Sequence, residues 1–138
     1  MKPLFPIVMV IILVISGCAN LSDVRHSEPT YSLVSTQPPK KLANCIVYKA
    51  QAASLDSWNR YWDPPKLTEI DGTYKILLTF TGGLFLTVSQ LRGELTIAPL
   101  DNGHSKVEYR TPSLLGGKEQ FWELVKQCAS PTNTTPAP

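Results

Sequence analysis

The chain has 138 residues, of which 43% are hydrophobic and 17% charged, and its 13 Lys+Arg against 11 Asp+Glu leave a formal charge of +2. That length allows one small domain with a modest core. The balanced charge, with no basic patch anywhere along it, excludes nucleic acid as an expected partner.

Lys2 precedes an apolar run, Leu4 to Ile15, interrupted only by Pro6. About a dozen apolar residues suit a secretory h-region of 7–15 residues, whereas a spanning helix needs roughly 20. The run ends in Ile15-Ser16-Gly17-Cys18. These four residues resemble a bacterial lipobox, with small residues immediately before the cysteine. The resemblance covers only the first eighteen residues. It implies a signal peptide over 1–17 and acylation of Cys18, so that the partner met first is membrane lipid. By the same resemblance, Ala19 in place of an Asp implies the outer membrane, facing the periplasm. Three acyl chains at about 0.8 kcal/mol per buried CH₂ would make such an anchor effectively permanent.

Residues 18–39 are rich in Ser, Thr, Pro and charge, and are read as a flexible tether. About twenty residues of coil would span roughly 25 Å, enough to lift a domain clear of lipid headgroups. Tyr31, Leu33 and Val34 are the residues in it that could instead dock.

A domain is expected over 40–129. Leu42, Cys45, Ile46 and Ala53 share one helical face, which predicts a helix from about Pro39 to Ala53. Trp58, Tyr61 and Trp62, with Arg60 between them, follow at i, i+3, i+4 before Asp63-Pro64-Pro65 ends the turn. Such a cluster either caps a small core or forms a binding surface for a sugar or peptide.

Tyr74, Ile76, Leu78 and Phe80 then alternate with Thr and Lys, which predicts a strand over Thr73–Thr81 preceded by a turn at Asp71-Gly72. A three-residue loop, Thr81 to Gly83, would pair Phe80 with Leu84, Leu78 with Leu86 and Ile76 with Val88, with all apolar residues on one face. Apolar residues move from even positions (Leu84, Leu86, Val88) to odd ones (Leu95, Ile97). A bulge or break is therefore expected at Arg92-Gly93. Asp101-Asn102-Gly103 marks a second hairpin, setting Val107 and Tyr109 opposite Ile97 and Leu95. From Lys118, Phe121, Leu124, Val125 and Cys128 follow the spacing of an amphipathic helix. Ser130 to Pro138 is a Thr/Pro-rich tail, expected to be disordered.

With Cys18 taken by lipid, Cys45 and Cys128 remain, an even pair in an oxidising compartment that predicts a disulfide. The fold class expected is α+β: an antiparallel meander of three to four strands flanked by two helices that this disulfide joins. No CxxC or Cys/His spacing supports a redox or zinc site, and neither GxSxG nor HExxH occurs. The expectation is thus a chain without metal, cofactor or catalytic machinery. Its layout looks like that of small proteobacterial lipoproteins. Two roles follow: an accessory or structural subunit of an envelope assembly, or a free binding module for cell-wall fragments or a lytic enzyme.

Overall fold

The computed structural model describes residues 20–55, 63–82, 88–112 and 118–130. Its elements in order are α1 (Leu21–His26), β1 (Tyr31–Ser35), α2 (Pro39–Leu55), β2 (Lys66–Ile70), β3 (Thr73–Gly82), β4 (Val88–Pro99), a 3₁₀ turn (Asp101–Gly103), β5 (Ser105–Arg110) and α3 (Lys118–Ala129). The five strands form one antiparallel sheet in the order β1-β5-β4-β3-β2. The class is α+β, with one strand more than the upper expectation.

The alternation of β3, β4 and β5 decides which face is dry. Tyr74, Ile76 and Leu78 on β3, Leu95 and Ile97 on β4, and Val107 and Tyr109 on β5 all turn to one side and are buried. Leu42, Ala43 and Ile46 of α2 and Phe121, Trp122, Val125 and Cys128 of α3 close over them to form the core. This is the inner face of the sheet. The disulfide Cys45–Cys128 joins the two helices, with Cα atoms 5.9 Å apart. Among the α3 positions predicted to be apolar, Leu124 is only half-buried, and Trp122 takes the buried place instead.

The second hairpin forms with the expected pairs, Ile97 with Val107 and Leu95 with Tyr109. Asn102 and Gly103 adopt φ of 69° and 75°, a left-handed pair that Asn and Gly tolerate best. The bulge also falls where the phase changes: Leu78 pairs with Gly93 and Thr79 with Leu91, so Arg92 is the extra residue. A side chain at Gly93 would place its Cβ 2.6 Å from Tyr109 Cε2 and 2.8 Å from the Arg110 carbonyl. The Tyr109 ring thus crosses β4 at the one residue with no side chain.

Two expectations are corrected. The β3–β4 connection is not a three-residue loop, because Gly82 pairs with Val88 and Ile76 with Leu95, leaving residues 83–87 between the strands. Residues next to the turn do not decide the register alone. β4 serves β3 and β5 at once, and the observed register lines up the buried ladders Tyr74–Ile97–Val107 and Ile76–Leu95–Tyr109. Nor are residues 20–39 a flexible tether. They hold α1, β1 and the start of α2, and β1 pairs residue for residue with β5 from Tyr31–Tyr109 to Ser35–Ser105. The charged and polar residues that suggested disorder are the wet side of an edge strand and of a short helix.

Candidate interaction surface

Of the residues singled out from sequence, Cys45 and Cys128 are brought together as a disulfide. Cys18 and the cluster Trp58, Arg60, Tyr61 and Trp62 lie outside the described residues. Among the described residues no three His, Cys, Asp or Glu side chains gather as metal ligands, and no helix is long and apolar enough to cross a membrane. His26 Nδ1 lies 2.6 Å from the Ser22 carbonyl, within its own helix.

Three buried aromatic rings of the core and the partly buried Tyr31 pack together. Tyr31 lies 5.2 Å from Trp122 and 6.2 Å from Tyr109, and Phe121 tilts against Tyr109 at 5.1 Å. Burial raises the pKa of the Tyr109 hydroxyl well above the usual phenol range, and no hydrogen-bond partner meets this group among the described residues. These rings hold β1 to α3.

The outer face of the sheet carries the polar side chains of the same strands. Here α1 lies against β4. Val24 is buried, and Arg25 donates from Nε and Nη2 to the Glu94 carboxylate at 2.7–3.0 Å. Glu94 is 3% exposed, so its charge is balanced at close range by a guanidinium from 69 residues away. The same contact raises the Arg25 pKa, the hydrogen bond to Glu94 outweighing desolvation. Arg110 Nε donates to the Ser27 carbonyl just past α1. On β5, Glu108 accepts from Lys106 and Arg110 on either side, and its pKa falls below the ordinary 4.5, with Lys106 the larger cause. Asp63 receives hydrogen bonds from Thr79 and Thr81.

The two ends of the sheet differ. At β1, Trp122 and α3 cover the inner side, and Ser35 Oγ donates to the Ala129 carbonyl. A groove of about 340 Å³ runs here between Leu33, Val34, Thr36 and the end of α3. It offers no converging set of polar groups of the kind that orients a small ligand. At β2, all five residues Lys66–Ile70 are exposed. Leu67 turns to the inner side beside Ile76, and Ile70 to the outer side beside Thr73. They remain 40% and 53% exposed. Asp71 and Gly72, at φ of 50° and 75°, form the two-residue turn that joins β2 to β3.

Sequence reasoning missed β2. Its apolar residues are three apart and so fall on opposite faces, which gives no period-two signal. The one usable sign was Asp71-Gly72, since a two-residue turn of that kind requires a strand on both sides. Chemically, β2 offers a free row of backbone donors and acceptors, bracketed by Lys66 and Glu69 and bearing one apolar side chain on each face. Comparison of the chain with family models, with curated proteins and with solved structures finds no match.

Proposed function

We propose that this chain is an acylated envelope lipoprotein, held at the outer membrane through Cys18, whose domain is a non-catalytic accessory subunit that binds a protein partner along β2. The observation that carries the reading is the contrast between the two sheet edges. β1 is buttressed on its inner face by Trp122 and α3, although Val34 on its outer face is exposed, while all five residues of β2 are exposed, Leu67 and Ile70 among them. A strand added to such an edge gains backbone hydrogen bonds, and alternate side chains supply selectivity.

The test places a photo-crosslinking side chain at Leu67 in the cell, with Lys40 on α2 as the control position. Mass spectrometry then identifies what is captured. One or two envelope proteins recovered near stoichiometry through position 67 alone support the subunit role. Capture of cell-wall fragments, or equal capture from both positions, reverses the ranking in favour of the free module.

A further inference from the structure

The turn into β3 fixes which backbone groups of β2 are free. Asp71 and Gly72 both have positive φ, so Ile70 and Thr73 flank a two-residue hairpin turn and exchange both of their backbone hydrogen bonds. Bonded pairs alternate along an antiparallel ladder, so Thr68 with Lys75 and Lys66 with Leu77 are bonded as well. The N–H and C=O groups of Leu67 and Glu69 therefore point away from β3. Among the described residues no other strand meets them. Pro65, just before, brings a carbonyl but no N–H. The edge is thus short, bounded by Pro64-Pro65 at one end and by the turn at the other.

Such an edge complements itself in one register. In a two-fold pair of copies the inner faces lie on the same side, so facing residues share a face and are both odd-numbered or both even-numbered. Antiparallel pairing centred on Glu69 sets that carboxylate directly opposite its own copy. Centring on Leu67 brings Glu69 opposite Pro65, which has no N–H to give the Glu69 carbonyl. Centring on Thr68 does neither, and centres further out join fewer residues. About Thr68, Leu67 and Glu69 exchange both hydrogen bonds with Glu69 and Leu67 of the second copy, and every outward donor and acceptor of the two residues is used. Thr68 then faces its own copy, and Ile70 covers the stem of Lys66 on the outer face. On the inner face the two Leu67 side chains, like the two Glu69, become diagonal neighbours. We propose that the occupant of the β2 edge is a second copy of this chain, paired antiparallel about Thr68 into one continuous sheet. The proposal rests on the reading of β2 as a binding edge and names what fills it. Pairing of β2 with β1 of another copy would instead run on without closing. Only a short strand is joined on each side, which places the contact in the weak, transient class.

Facing Cα atoms are about 4.5 Å apart in a pair without hydrogen bonds, so Thr68→Cys can join its own copy by a disulfide. Lys66 and Ile70 stand about 14 Å along the strand from their copies in this register. Thr68→Cys, Lys66→Cys, Ile70→Cys and Leu67→Cys are made singly in the full chain, and envelopes are oxidised mildly with copper phenanthroline. Self-joined peptides are counted by mass spectrometry, which keeps them apart from products of Cys18, Cys45 and Cys128. The self-joined peptide from Thr68→Cys is expected to exceed those from Lys66→Cys and Ile70→Cys several-fold. Adding Glu69→Pro removes an outward N–H and leaves the β2–β3 ladder whole, so it should reduce the product to their level. Glu69→Ala, which keeps the N–H, should not. If Glu69→Pro unfolds the domain, the comparison among positions decides alone. Equal joining at every position, none from Thr68→Cys, or a maximum from Leu67→Cys overturns the proposal. If the photo-crosslinker at Leu67 then still captures a different protein, the binding edge stands with another occupant. If it captures nothing, the binding-edge reading falls as well.

Discussion

The two faces of the sheet are held by opposite means. The inner face is closed by seventeen-residue α2 and twelve-residue α3, which bury a continuous apolar cluster and are locked to each other by one covalent bond. The outer face is crossed by six-residue α1, too short to be stable alone, which depends on one buried valine and one ion pair. Burial of apolar area is non-directional and tolerant, so the inner layer is set by pattern. An ion pair reaching a carboxylate that is 3% exposed is directional, so the position of the outer helix hangs on single residues.

Breaking the inner clasp should have the largest effect. The disulfide closes a span of 83 residues, for which the chain-entropy model gives about 4–5 kcal/mol. Cys45→Ala with Cys128→Ala should lower the urea midpoint accordingly, and reductant should do the same to the unsubstituted chain. An unchanged midpoint would mean that apolar packing alone holds the helix layer.

Gly93→Ala probes the line where inner and outer faces meet. With Tyr109 and the Arg110 carbonyl both closer than 3.0 Å to the new methyl, β5 must shift, at a cost of about 1–3 kcal/mol. Thermal denaturation measures it, and loss of the near-ultraviolet signal from the Tyr31–Trp122–Tyr109 stack should accompany it.

On the outer face, Arg25→Ala leaves Glu94 buried beneath α1 without its partner. The expected loss is about 1–2 kcal/mol, towards the low end for a buried charge because the Arg25 side chain is 45% exposed. Amide exchange should quicken in Leu21–His26 while α2 and α3 remain protected. Equal quickening in both layers would contradict the separation of the two faces. Adding Glu94→Gln should recover part of the loss, and the double-mutant cycle gives the coupling.

The smallest effect concerns acid. The folded pKa of Glu108 is depressed, so its contribution is present above the ordinary value of 4.5 and lost as pH falls through the lower, folded value. Lys106, the larger cause, has a side chain 49% exposed, so solvent screening keeps the contribution to about 1 kcal/mol. Glu108→Gln should lower stability slightly at pH 7 and hardly at all at pH 2. A uniform loss at both would assign the residue a packing role instead.

How much of this was legible beforehand depended on whether an element has one wet side and one dry side. β3, α2, α3 and the β4–β5 hairpin all do, and their periodicities were readable to within a few residues. The bulge at Arg92 was readable because it shifts the phase of an alternating strand. Leu67 and Ile70 on β2 face opposite ways and both remain wet, so no local pattern marks them. Of the sites proposed from sequence, the disulfide is realised, while Cys18 and Trp58 to Trp62 fall outside the described residues.

The sequence by itself determined the class of fold, the helix layer and its cysteine clasp, because amphipathic spacing and an even cysteine pair are local or countable properties. Only the tertiary structure decided that β1 completes the sheet, that β4 pairs in the longer register, and that Arg25 meets Glu94. Each of these is a contest between distant segments, decided by burial and pairing over the whole sheet, and such contests leave no trace in neighbouring residues.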